Sequence, residues 1–189
     1  PRKKYVNQNG EKCIKCHFPK ATFSDEFNPV CWLIHSVNDG TWEERHEIVR
    51  LMIEKGFNVD YIPESGESTL CGIGGERVVF DETNSYNPER AEAVLELYKF
   101  ASERSKVDKQ LDTIDGATSL HSAVAAGNLP LMKYLIEELQ YSINETTNEG
   151  ETPLVYAMKY ILPYEGAMSN IDEVLWGAGG RPIYCRCRR

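Results

Sequence analysis

The chain has 189 residues, of which 41% are hydrophobic and 26% are charged, a composition typical of a folded globular protein. Its formal net charge of −8 disfavours nonspecific nucleic-acid binding as its main role. No apolar run approaches the roughly 20 residues that a membrane-spanning helix needs, so we expect no membrane contact.

Residues 1–26 are predicted to form an N-terminal segment or cap, with a Cys-x-x-Cys-His pattern that starts at Cys13. Cys13 and Cys16 are followed by Cys31 and His35, and this spacing is typical of four-ligand zinc sites. A zinc ion held by these four residues would organise that end of the chain. The competing interpretation is that Cys31 is a small buried apolar residue and that the protein needs no cofactor.

From residue 27 onward, a short motif recurs and predicts pairs of short helices. Its clearest copies begin at Gly116 and Gly150, which lie 34 residues apart. Each glycine is followed by Thr at the second position, Leu at the fourth and Ala at the seventh. Weaker copies begin near Gly66 and Glu26, at wider spacings, so we expect two of the units to carry insertions.

An apolar stretch with helical spacing follows each motif and predicts the second helix of each pair. These stretches are 48–56, 93–98, 131–136 and 171–175. The extra residues between the two helices of a pair predict loops at 38–46, 77–89 and 159–169. Pro88 is predicted to lie in the first turn of the helix that follows the second loop. Because each helix pair is too short to bury its own apolar stripe, neighbouring pairs are expected to stack.

The segment from Asp115 to Asn128 resembles the start of an ankyrin repeat. Thr118-Ser119-Leu120-His121 stands where the family has Thr-Pro-Leu-His, and Gly127 closes the first helix. The resemblance implies an all-α ankyrin-repeat solenoid of stacked helix-turn-helix units with short hairpin-like turns. It places the array at 27–180, in repeats at about 27–60, 61–112, 113–146 and 147–180, followed by a basic C-terminal tail at 181–189. It also implies that His121 hydrogen-bonds the backbone of the adjoining turn.

The resemblance further implies that variable positions of the first helices face a concave, partner-binding surface. Aromatic side chains at such positions are favourable anchors because they offer a large contact area with few rotatable bonds. The predicted partner-binding residues are Trp32, His35, Ser122, Tyr156, Lys159 and Tyr160 on this surface, with Tyr61 and Thr113 at the turns between repeats. The competing interpretation is that inserts or the N-terminal segment cover these side chains.

No acid, base and nucleophile occur in the sequence context of a catalytic site, so we expect that the protein is not an enzyme. The sequence predicts a monomeric protein that binds another protein. Unevenly spaced cysteines and the lack of a secretory signal favour reduced thiols in the cytoplasm or nucleus.

Two alternatives stay open. One is a regulatory or host-modulating, effector-like role, with the chain delivered into a host cell. The other is a zinc-stabilised regulatory or redox-sensing domain of a larger protein.

Overall fold

The computed structural model describes residues 28–36, 40–64, 66–78, 86–107, 116–160 and 167–180. These residues contain eight α-helices and no β-strand, which confirms the predicted all-α fold. The helices are α1 Pro29–His35, α2 Trp42–Glu54, α3 Thr69–Gly74, α4 Pro88–Ser102, α5 Ser119–Ala126, α6 Leu129–Glu137, α7 Pro153–Tyr160 and α8 Ala167–Gly177. None of them combines the length and apolarity needed to cross a lipid bilayer.

The helices pack as two parallel rows. The odd-numbered helices α1, α3, α5 and α7 form the first row, in which each contacts the next along the chain. The even-numbered helices form the second row in the same order, and each also contacts the first-row helix of its own pair. Each pair therefore packs mainly against its immediate neighbours, as in a repeat solenoid.

The core lies between the two rows and follows the sequence motif. Its recurring leucine position is occupied by Leu70, Leu120 and Leu154, which are at most 2% exposed. Second-row helices contribute facing residues such as Val49 and Leu131, both fully buried. Burying one such side chain contributes about 1.5–3 kcal/mol, so the motif positions supply much of the force that stacks the pairs.

Polar helix caps also join neighbouring pairs. The Asn28 carboxamide oxygen accepts hydrogen bonds from the backbone N–H groups of Val30 and Cys31 and so caps α1. Its amide nitrogen donates to Thr69 Oγ1 of the next first-row helix at 2.9 Å, and to the Tyr61 carbonyl oxygen at 3.3 Å. One buried side chain thus ends a helix and fixes the register of the following pair.

His121 makes an equivalent connection later in the chain. Its Nδ1 accepts a hydrogen bond from the Thr118 backbone N–H at 3.1 Å, which leaves the proton on Nε2. The Nε2–H then donates to the Glu151 carbonyl oxygen, also at 3.1 Å. His121 is fully buried and holds the turn of the next unit, as the family resemblance implies.

The predicted loop at 38–46 is wrong in its second half, because α2 already begins at Trp42. Thr41 and Glu44 form a capping box. The Glu44 N–H donates to Thr41 Oγ1 at 3.3 Å, and the Thr41 N–H donates to the Glu44 carboxylate at 3.2 Å. These two bonds satisfy donors that would otherwise be exposed at the helix start, so the helix extends upstream of its apolar stretch.

The predicted loop at 77–89 leads, as predicted, into a helix whose first turn contains Pro88, here α4. The predicted loop at 159–169 is shorter than expected, because α7 runs to Tyr160 and α8 begins at Ala167. The two sides of the former loop meet where the Asn87 N–H donates to the Val78 carbonyl oxygen at 3.0 Å. Val78 and Asn87 therefore lie side by side although seven residues and Tyr86 separate them in the chain, and the helices before and after them remain stacked. The predicted cap at 1–26 and tail at 181–189 lie outside the described residues.

Helices α1 and α3 approach closely where Gly72 faces Cys31. A Cβ atom added to Gly72 would overlap the Cys31 sulfur and lie 3.3 Å from the Cys31 Cα. Because a sulfur atom and a backbone atom both oppose it, neither a rotamer change nor a small backbone shift relieves the overlap completely. Gly72 is therefore a packing requirement of the first row.

Replacing Gly72 by Ala should lower the free energy of unfolding by about 1–3 kcal/mol, measured by urea titration. The matched control is Gly177→Ala, because no atom lies within 4 Å of the Cβ position there. That control should be neutral or stabilising by up to about 1 kcal/mol. Adding Cys31→Ala to Gly72→Ala should recover part of the loss, and an unchanged stability of Gly72→Ala would contradict this account of the contact.

Candidate protein-binding face

The exposed side of the first-row helices, here called the first-row face, begins at α1. Trp32 and His35 lie one turn apart on this helix and both are exposed, Trp32 by 45%. The opposite side of α1 is buried through Val30, Leu33 and Ile34. His35 Nε2 lies 3.5 Å from a carboxylate oxygen of Glu67 in the turn before α3. The helix therefore presents an indole and an imidazole to any molecule that lies on this face.

The middle of the first-row face has small side chains. All six residues of α3 are buried, and α5 contributes the half-buried Ser122 and Ala125. No bulky side chain of α3 or α5 therefore stands between Trp32 at one end and the aromatic residues of α7 at the other.

At the far end, Tyr156 is half-buried on α7 and packs edge-on against the His121 ring. The ring centroids are 5.0 Å apart and the planes make an angle of 78°. Next to it, Lys159 Nζ donates to the Glu151 carboxylate at 3.1 Å. Neighbouring residues already orient Tyr156 and Lys159. These two side chains would therefore lose little conformational entropy when a partner contacts them.

Of the remaining predicted partner-binding residues, one is less exposed than Trp32, and the others lie outside the described part of the chain. Tyr61 is half-buried, and its carbonyl oxygen accepts from Asn28 at the turn that precedes α3. Thr113 and the side chain of Tyr160 lie outside the described residues. The assignment of all eight residues to partner binding stays a prediction.

Of the predicted zinc ligands, the structure describes only Cys31 and His35. Cys31 is 3% exposed, and its thiol donates to the Ser68 carbonyl oxygen at 3.4 Å. Burial, with a smaller effect of the Glu67 charge, raises the pKa of this thiol well above its usual value of 9.0. Zinc binds the thiolate, so zinc binding at Cys31 would require this thiol to lose its proton. Cys13 and Cys16 lie outside the described residues, and the zinc site stays a prediction.

Residues 85–167 match the family model for ankyrin repeats (3 copies). This part of the chain consists of ankyrin repeats. This confirms the resemblance found in the sequence, and the helix pairs upstream of the match continue the same two rows. No curated protein compared with the chain matches it significantly. Ankyrin repeats are generally protein–protein interaction modules, and proteins built from them are typically not enzymes.

The first two helix pairs are also joined by a buried charged cluster, which the sequence did not predict. Glu76, just after α3, is 1% exposed and is hydrogen-bonded to His46 Nε2 of α2. Arg90 of α4 donates to the other Glu76 oxygen through Nε at 3.1 Å and Nη2 at 2.9 Å. Both carboxylate oxygens are thus satisfied by groups from two different second-row helices.

This geometry determines how Glu76 titrates. Burial by itself would raise the pKa of its carboxyl group, but the hydrogen bonds and charges of His46 and Arg90 outweigh burial and hold the pKa below its usual value of 4.5. No local pattern marks the three residues, since they are 14 and 30 positions apart and meet only after the repeats have stacked.

Replacing Glu76 by Gln should reduce the free energy of unfolding at neutral pH by about 3 kcal/mol, because the change leaves the largely buried Arg90 without its counter-charge. The folded-state pKa of Glu76 is below the unfolded value, so its stabilising contribution is complete above pH 4.5 and is lost as pH falls below that value. The difference between wild type and variant, measured by urea titration at several pH values, should therefore shrink in acid.

The control is Glu96→Gln, whose side chain is 60% exposed and paired with Lys99 on the surface. It should change the stability little at any pH. A Glu76→Gln variant as stable as wild type at neutral pH would show that the cluster does not stabilise the stack.

Proposed function

We propose that this ankyrin-repeat protein acts as a monomer that binds another protein through its first-row face. The observation that carries the proposal is the exposed indole of Trp32 on a helix whose other side is buried in the core. A tryptophan held by a rigid helix offers a partner a large apolar area at small entropic cost, and tryptophan is enriched among the residues that dominate binding energy.

The other end of the face supports the same interpretation. Tyr156 is held by the His121 ring, and Lys159 is held by Glu151, so this end presents an aromatic surface beside an oriented cation. With small side chains between the two ends, an elongated segment of a partner can lie across α3 and α5 and contact both aromatic groups. Such an arrangement suits recognition by side-chain anchors at two separate points.

A regulatory role follows from this mode of binding. A rigid face that covers part of a partner's surface changes what else the partner can contact, without any chemical step. We therefore propose that the protein regulates its partner by covering part of the partner's surface. The host-modulating form of this role and the cytoplasmic or nuclear location stay predictions.

Replacing Trp32 by Ala should weaken partner binding by roughly 10- to 100-fold, the cost of removing a dominant aromatic anchor. The protein would be used as bait in a lysate, and the captured proteins would be identified by quantitative mass spectrometry. The affinity of the main captured protein for each variant would then be measured by calorimetry.

The matched control is Trp176→Ala, which removes a 55% exposed tryptophan from the second-row helix α8. Its affinity should equal that of wild type, and circular dichroism should show an unchanged helix content for both variants. Binding that survives Trp32→Ala and is lost in Trp176→Ala would place the interface on the second row and refute the proposal.

A further inference from the structure

The turns that precede the first-row helices lie along one edge of the first-row face. The Cys31 thiol of α1 donates to the Ser68 carbonyl oxygen just before α3. In the same way, the His121 ring of α5 donates to the Glu151 carbonyl oxygen just before α7. A Cβ atom added to Gly116 would lie 3.1 Å from a backbone nitrogen of the turn before α7, so the turns before α5 and α7 are also in contact. A partner segment on the first-row face therefore lies beside these turns as well.

This edge carries carboxylates and almost no cations. Lys159 is the only lysine or arginine in the four first-row helices and in the described turns 56–64, 66–68 and 139–152. The carboxylates of these turns belong to Asp60, Glu64, Glu67, Glu145, Glu149 and Glu151. The other described lysines and arginines belong to second-row helices or to segments that follow a helix, and they are Arg45, Arg50, Lys55, Arg77, Arg90, Lys99, Arg104, Lys106 and Lys133. The anionic character of the chain is thus concentrated beside the first-row face.

At the α1 end of the face, a carboxylate lies next to the exposed aromatic groups. An oxygen of Glu67 is 3.5 Å from His35 Nε2, and the Glu67 side chain is 46% exposed. His35 is an imidazole and not a permanent cation, and Trp32 lies one helical turn from it. Glu64 is exposed in the same turn and forms no ion pair within the described part of the chain. This end therefore combines an indole with a local negative charge.

The α7 end repeats the combination. The Glu151 carboxylate accepts from Lys159 Nζ at 3.1 and 3.3 Å, so the one cation of the face is already neutralised there. Glu149 is exposed in the turn before α7, and none of the described residues forms an ion pair with it. The surface beside Tyr156 is therefore anionic as well.

We propose that the partner segment on the first-row face is basic, with an arginine or lysine side chain beside Trp32 and another beside Tyr156. The inference rests on the proposed function, because it takes this face to be the binding surface. An exposed indole close to a carboxylate suits a guanidinium group, which stacks on the ring and donates to the carboxylate at the same time. Opposite charges on the two surfaces also speed the encounter and exclude acidic partners.

The distance between the two ends sets the spacing of the basic residues. Helices α1 and α7 are three helix-to-helix steps apart in the first row, and steps of about 8–10 Å place them roughly 25–30 Å from each other. An extended peptide advances by about 3.3 Å per residue. The two basic positions of the partner are therefore expected about eight or nine residues apart.

The first test uses nuclear magnetic resonance of the full chain at low ionic strength. The probe is the peptide Arg-Arg-(Ser-Gly)3-Arg-Arg, and its controls carry glutamine or glutamate in place of every arginine. The arginine peptide should shift the indole N–H signal of Trp32 saturably, whereas both controls should leave it unchanged. No shift with the arginine peptide, or an equal shift with the glutamine peptide, would overturn the proposal.

The second test is charge reversal at each end of the face. Glu67→Lys and Glu149→Lys should each weaken binding of the arginine peptide about fivefold or more, because each replaces an attractive charge by a repulsive one. The matched control is Glu137→Lys, which makes the same charge change at an exposed position of the second-row helix α6 and should bind as wild type does. An equal loss in all three variants would reduce the effect to net charge, and normal affinity in either variant of the face would contradict contact at both ends.

The two proposals fail in different ways. If Trp32→Ala abolishes binding of the captured partner while Glu67→Lys and Glu149→Lys leave it intact, the first-row face stands and the basic assignment falls. If the captured partner binds Trp32→Ala normally, the proposed function falls. Arginine-peptide binding that still depends on Glu67 would then show a site for basic segments that this partner does not use.

Discussion

The rest of this structure depends on the stacking of short helix pairs against one another. A helix of six to nine residues, such as α3, α5 or α6, has no stability of its own in water. Each becomes stable because its apolar stripe is covered by the pair before it and the pair after it. The motif leucines Leu70, Leu120 and Leu154 are buried for this reason, and the repeat-to-repeat contact is the unit of stability.

Apolar stacking alone would allow neighbouring pairs to slide, and the polar side chains between them prevent this. Asn28 and His121 each satisfy a donor or acceptor of their own helix and one in the next unit. A shift in register would leave those buried groups unsatisfied, at a cost of about 1–3 kcal/mol each. Directional hydrogen bonds therefore set the position, while the hydrophobic contact supplies most of the driving force.

The same requirement links stability to the binding surface at the first two pairs. Glu76 compensates the charge of Arg90 inside the stack and joins α4 to α2 through His46. Gly72 lets α1, the helix that carries Trp32, approach α3 closely. Residues chosen for packing thus shape the surface that a partner would contact.

Sequence alone determined the repeat frame, because the turn glycines Gly116 and Gly150, the motif leucines and His121 are local signals that recur at a fixed distance. It also pointed to Trp32 and Tyr156, whose positions follow from that frame. It missed that α2 begins at Trp42, because the capping box of Thr41 and Glu44 lies upstream of the apolar stretch at 48–56 that predicted this helix. The tertiary structure alone decided that Glu76, His46 and Arg90 meet. Those residues are brought together by stacking, and the charge of a buried side chain acquires its effect only from neighbours that are distant in the chain.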